Sequence, residues 1–251
     1  MRINVLPDPE TLGKEAAFLV AQKLSAAIER EGSARIVLST GASQFETIKA
    51  LINSDVDWKR VTLFHLDEYI GMPESHKASF RRYLKERFIS KVDIGRTVLI
   101  DGETDIQAHI EYLNREIEEK PIDIGVIGVG TNAHIAFNDP PADFDVKTSF
   151  IVVKLDEKCK LQQVNEGWFD SIEMVPEKAI TMSPYRIMQC KTIVSPVPYI
   201  VKAEAISAML GSKTVTNEIP ATILKTHPDI TLFLDNESAS LCDSDLIKAH
   251  T

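Results

Sequence analysis

No stretch of this chain approaches the roughly 18 consecutive apolar residues that a membrane-spanning helix needs, so no membrane association is expected. The opening residues, MRINVLPDPE, lack the apolar run of a signal peptide and carry proline where such a helix would continue. The expected location is cytoplasmic. Cysteine is scarce: Cys159, Cys190 and Cys242 are odd in number, widely spaced, and outside any CxxC or Cys/His ligand spacing. That argues against a disulfide framework or a zinc site and suits a reducing compartment. Each reads as a small buried side chain. Positive charge is in deficit, with 28 Lys and Arg against 37 Asp and Glu and a net charge of −9. Such a balance argues against nucleic acid or anionic membrane as partner. It leaves room for a small anionic ligand, held by a few chosen groups.

What is present suits a folded enzyme-sized domain. The 251 residues, 44% hydrophobic and 26% charged, supply the core of one α/β domain spanning 1–251. Apolar residues at Leu12, Ala16, Leu19, Val20, Leu24, Ala27 and Ile28 recur at helical spacing, and Gly32 closes the helix. Ile36-Val37-Leu38 reads as a buried strand, and Phe45, Ile48, Leu51 and Ile52 restore the helical period. The alternation continues. Strands are expected at Val61–Leu66, Val98–Ile100, Ile122–Ile127, Phe150–Val153, Ile180–Ser183, Ile193–Val197 and Ile230–Leu234. Helices are expected at Phe80–Phe88, Ile106–Ile117, Lys158–Glu166 and Lys202–Leu210. Strands alternating with helices imply a single doubly wound, mainly parallel, Rossmann-like sheet with helices on both faces. In such sheets ligands bind beyond the carboxyl ends of the strands.

Three strand ends carry chemistry. Ser39-Thr40-Gly41-Ala42-Ser43 joins a strand to a helix. Glycine permits the turn, and hydroxyls with a helix N-terminus favour an oxyanion, although Ser43 as an ordinary N-cap explains the same residues. His65-Leu66-Asp67-Glu68-Tyr69 offers two carboxylates, of which one drawn out of water would serve as a general base. An acidic turn is the plainer alternative. The third segment runs from Gly128-Val129-Gly130 through Thr131-Asn132-Ala133-His134 to Asn138-Asp139-Pro140. His134 is suited to carrying protons at neutral pH, with Asn132, Asn138 and Asp139 close enough in sequence to orient it. His65, His76, His109, His227 and His250 lack such settings and default to packing or surface roles.

These segments, in this order, resemble the glucosamine-6-phosphate deaminase family, which is grouped with the 6-phosphogluconolactonases. The resemblance covers most of the chain. His134-Ile135-Ala136-Phe137-Asn138 and Asp67-Glu68-Tyr69 are similar to the deaminase branch. The resemblance implies conversion of glucosamine 6-phosphate and water to fructose 6-phosphate and ammonia, with no metal or organic cofactor. It assigns Asp67 to proton transfer between C2 and C1 and His134 to ring opening. Asn132 and Asp139 would support the histidine. Phosphate would be held by Thr40, Gly41, Ala42, Ser43 and Lys202, with Gly128 and Gly130 letting the backbone approach. On its own, Lys202 is equally a solvated helix charge.

Two residues depart from the family pattern: Asn132 replaces an aspartate and Asp139 a glutamate. A phosphate-binding arginine is expected within Cys159–Phe169, which holds none; Lys160 or Gln163 is a candidate replacement. Lactone hydrolysis and a non-catalytic sugar-phosphate sensor are the competing expectations. Family members are often oligomeric, so a homo-oligomer is a further expectation.

Overall fold

The structure, a computed structural model, describes residues 1–248; His250 lies outside them. The first helix, α1 (Pro9–Glu31), starts where local chemistry demands. The Asp8 carboxylate accepts from Thr11 N at 2.7 Å, Pro9 occupies the first turn, and Gly32 ends the helix at φ 78° with its N–H on Ile28 O. Its buried face holds Leu12, Gly13, Ala16, Ala17, Val20, Leu24, Ala27 and Ile28, while Leu19 is only half-buried. Gly13 belongs there because α1 packs closely on α2 (Phe45–Leu51). A Cβ at Gly13 would lie 2.6 Å from a Glu46 backbone carbon.

Seven parallel strands form the main sheet: β1 (Arg2–Leu6), β10 (Ile230–Asp235), β9 (Thr192–Val197), β6 (Ile124–Val126), β2 (Ala34–Leu38), β3 (Val61–His65) and β5 (Arg96–Val98), in that order. The doubly wound fold is as expected. Side chains alternate across it. Ile36 and Leu38 face α1 and α2, whereas Val37 faces the other layer with Ile110, Leu113 and Ile117 of α4 (Ile106–Glu118) and Ile206 and Met209 of α7 (Ala203–Gly211). Both faces are therefore covered, which is why the strands read as nearly continuous apolar runs.

Three features depart from the sequence expectation. The edge strand β1 is formed by residues read only for the absence of a leader, and β5 begins two residues earlier than Val98. A second, antiparallel sheet is also present, in the order β4 (Asp67–Tyr69), β8 (Lys178–Met182), β7 (Phe150–Lys154). The runs expected at Phe150–Val153 and Ile180–Ser183 belong to it instead of the main sheet. Behind it pack Tyr69, Phe80 of α3 (Phe80–Arg87), Phe137 and Phe169, with Tyr69 ring centroids 5.2–5.5 Å from the other three.

Strand order reverses around β2. The chain proceeds outward through β3 and β5, then returns to the opposite side of β2 with β6. The carboxyl ends of β2 and β6 therefore flank a crevice.

Candidate functional site

The segments after β2 and β6 open directly into this crevice. Ser39 through Ser43 line it, and Gly41 turns the chain at φ 97° into a 3-10 turn, Ala42–Gln44, ahead of α2. Neither end of this turn has a side-chain cap, so Ser43 is not an N-cap and its hydroxyl remains at the cavity wall. The Gln44 amide donates to Ser43 Oγ and Pro196 O at 3.2 Å each, which braces the turn against β9. Ser39 Oγ is buried there with no hydrogen-bond partner, a group left ready for a ligand oxygen. Gly128 keeps the opposite wall clear, since a Cβ would come within 3.0 Å of Gln44 Nε2.

Lys202 supplies the positive charge. It ends a 3-10 turn, Ile200–Lys202, just before α7 and is 5% exposed. It forms no ion pair among the described residues, and burial lowers its pKa, with the Glu166 charge partly offsetting that. An unpaired buried ammonium is costly, and an arriving anion would relieve the cost. The solvated-charge alternative for Lys202 is thereby corrected.

Asp67 enters from the small sheet. β4 pairs with β8 in the register Asp67↔Thr181, Glu68↔Ile180, so consecutive side chains point to opposite faces. Asp67 faces the crevice and is 7% exposed; its pKa is pushed up to about 8 by burial, then by the charges of Glu68 and Asp139. Glu68 points away. Its carboxylate accepts from Ser79 Oγ and the backbone N–H groups of Tyr69, Phe80 and Arg81, capping α3. The paired acids thus divide into one in the cavity and one that anchors a helix.

His134 is carried on a tight loop. Ala133 and Ala136 adopt left-handed backbone at φ 63° and 50°, and Asn138 Nδ2 donates to Ile135 O and Met182 O. Phe137 N donates to Thr181 Oγ1. These bonds fasten the loop to β8, the neighbour of β4, and so bring His134 and Asp67 to one cavity. His134 Nδ1 lies 2.7 Å from Asp139 Oδ1. The ionised carboxylate assigns the proton to Nδ1 and leaves Nε2 as an acceptor. Burial opposes ionisation of Asp139, but the His134 hydrogen bond and charge, the Asn132 amide and the Asp156 N–H outweigh it and hold its pKa below the ordinary value. Nε2 occupies the space over Gly130, where a Cβ would come within 2.2 Å of it.

Asn132 sits one step removed from the ring. Its Nδ2 donates to Asp139 Oδ1 at 3.0 Å, and its Oδ1 accepts from the His134 backbone N–H at 3.1 Å. It reaches His134 through Asp139 and the loop backbone and makes no hydrogen bond to the imidazole. Neither Asn132 nor Asp139 lines the cavity. Where an arginine was expected, α5 (Glu157–Asn165) presents Gln162 and Gln163 to the crevice, followed by Glu166; Lys160 is partly exposed and off the wall. Gln163, one of the two candidate replacements, is on the wall, and Glu166 beside it was not among the expected site residues.

Behind His134, Cys159 Sγ, an Asp139 oxygen and a His134 nitrogen lie within 4.8 Å of one another. The 2.7 Å His134–Asp139 contact is shorter than the ~3.3 Å that separates two tetrahedral zinc ligands with bonds of about 2.0 Å. The trio has the spacing of a hydrogen-bonded chain. His65, His76, His109 and His227 accept or share hydrogen bonds with the backbone, in keeping with packing roles. No helix among the described residues is long and apolar enough to cross a membrane.

The profile of the glucosamine-6-phosphate isomerases/6-phosphogluconolactonase family matches residues 7–232. The chain belongs to this family. It is 35% identical over 242 residues to the glucosamine-6-phosphate deaminase of Lactobacillus delbrueckii subsp. bulgaricus, covering 96% of this chain and 99% of that one. Against the Streptococcus gordonii enzyme of the same name it is 33% identical over 245 residues, covering 97% and 100%. A solved structure of a monomeric glucosamine-6-phosphate deaminase superposes with a TM-score of 0.87 at 30% identity, covering 96% of this chain and 100% of that chain. A 6-phosphogluconolactonase from Shewanella baltica shares the fold, with a TM-score of 0.78 at 17% identity and coverage of 94% and 97%. As a member of this family the chain is a deaminase-like enzyme of carbohydrate metabolism.

Proposed function

We propose that the enzyme converts glucosamine 6-phosphate and water to fructose 6-phosphate and ammonia. The observation that carries this reading is the meeting of two proton carriers in one crevice with an anion cradle: Asp67, the free Nε2 of His134, and Thr40–Ser43 with Lys202. Phosphate at the cradle fixes one end of the sugar. His134 moves a proton at the ring oxygen as the ring opens, and Asp139 steadies the imidazole. Asp67 then takes the proton from C2 and returns it to C1 by way of a cis-enolamine. Water adds to the resulting C2 imine, and ammonia leaves as the ketone forms. A carboxyl with pKa about 8 is a far stronger base than an ordinary aspartate, while about a tenth of it is already ionised at pH 7.

Incubation with glucosamine 6-phosphate, following ammonia and fructose 6-phosphate together, tests the reading. Equal amounts of both are expected. Hydrolysis of 6-phosphogluconolactone in a parallel assay, with no ammonia from the amino sugar, would replace this reading with the lactonase one. Tight binding without either product would favour a sensor.

A further inference from the structure

Four ionisable side chains face the crevice: Asp67, His134, Glu166 and Lys202. Among the described residues, Lys202 is the one Lys or Arg on the wall. Glu166 is the carboxylate that most concerns it, because Asp67 is largely protonated near pH 7.

Glu166 is held in place. It follows the last residue of α5, its backbone N–H donates to Gln162 O, and its carboxylate accepts from Gln162 Nε2 at 2.7 Å and Trp168 Nε1 at 3.1 Å. Among the described residues it has no cationic partner within ion-pair distance. The last turn of α5 contains no basic residue, so the negative end of that helix is not neutralised either. A phosphate monoester carries about −1.5 to −2 charge at pH 7. The crevice therefore meets it with one positive and one negative side chain, summing to nearly no net charge.

We propose that Glu166 is a specificity-determining residue that holds down the affinity of the crevice for phosphate dianions. This deepens the sugar-phosphate reading above and rests on it. The physical basis is like-charge repulsion between the exposed Glu166 carboxylate at the rim of the crevice and an anion in the cradle, a force that water screens and salt weakens further. Glu166 is not among the charges that raise the Asp67 carboxyl, so its influence is assigned to ligand affinity and not to proton transfer.

Calorimetry with inorganic phosphate and with fructose 6-phosphate tests this on the wild type, Glu166→Gln and Glu166→Ala. Both variants are expected to bind both ligands about twofold to fivefold more tightly. KM for glucosamine 6-phosphate should fall by the same factor while kcat stays unchanged. The difference should shrink in 1 M salt, where the Debye length is about 3 Å. The glutamine variant keeps the side-chain volume and the alanine variant does not, so a gain shared by both belongs to the charge. Unchanged or weaker binding in both variants, with a wild type that binds and turns over, would overturn this inference alone. Failure of the wild type to bind either ligand would remove the sugar-phosphate reading and this inference with it.

Discussion

The Asn132 amide and the His134 imidazole converge on a single oxygen, Asp139 Oδ1, at 3.0 and 2.7 Å. That shared acceptor decides what Asn132→Asp would do. A carboxylate at 132 would lose the donor and face Asp139 at hydrogen-bond distance, and two such acids ionise together only at a cost. One of them would keep its proton to a higher pH than an ordinary aspartate. The stability of the variant relative to wild type should be greatest in acid and should fall as pH rises through that elevated pKa. Melting temperatures at pH 5 and pH 8 check this. An equal offset at both pH values would show that the two carboxylates do not meet.

Asp67 gives a prediction for both chemistry and stability. Asp67→Asn should slow exchange of the C2 hydrogen at least ~10²-fold with the fold intact. In the wild type, kcat/KM should rise with pH through about 8 as the base ionises. The folded-state pKa is raised from 3.8 to about 8, so the stability that protonated Asp67 contributes is fully present below about pH 4 and is lost as pH climbs to about 8. The asparagine variant should accordingly gain on wild type across that window, by at most ~1.4 kcal/mol per pH unit. A flat stability difference between pH 4 and pH 9 would refute the buried setting of Asp67.

Lys202 sets function against stability. Lys202→Met removes the buried charge and keeps much of the volume, so the ligand-free variant should melt at a higher temperature. Its affinity for fructose 6-phosphate should fall about tenfold to more than a hundredfold, as loss of a charged hydrogen bond implies. Differential scanning calorimetry and titration calorimetry measure the two effects. A variant that melts lower and binds equally well would mean that Lys202 serves packing.

Gly130→Ala should damage activity far more than folding. Its methyl group would need the volume of the His134 ring edge, 2.2 Å away, and the side chain would give way before the backbone. The expected outcome is a fall in kcat of ~10²-fold or more with a near-native circular dichroism spectrum. Full activity would place the imidazole elsewhere during turnover.

α1 was legible from its apolar residues at helical spacing and from Gly32 at its end; its start, capped by Asp8 and opened by Pro9, was not part of that reading. β2 and β9 were legible as apolar runs. β1 was not, because Arg2 and Asn4 interrupt its apolar pattern and its pairing partner, β10, lies more than 220 residues away. β4 was illegible for a related reason. Asp67-Glu68-Tyr69 has no intrinsic strand bias, and only pairing with Ala179–Thr181 makes it one. Within the site, the resemblance supplied which residues meet. It could not supply the burial of Lys202, the outward turn of Glu68, or the carboxylate of Glu166 on the wall, because each depends on distant chain packing around it.

The crevice draws its two ends from different sheets: Ser39–Ser43 follow a strand of the large parallel sheet, while Asp67 hangs from the small antiparallel one. The chain itself joins the two, passing from His65 of β3 through Leu66 into β4, and Met182 N on Leu66 O at 2.7 Å with Ile70 N on Lys178 O at 3.0 Å extends the β4–β8 ladder on either side of Asp67–Tyr69. This makes the cavity a caliper. Its span is fixed by how the small sheet is seated, independently of either jaw. In the proposed reaction a sugar one carbon shorter would still grip the phosphate end, yet its reacting carbon would stop short of the carboxylate. On that proposal, chain length would be gauged by architecture, before any proton moves.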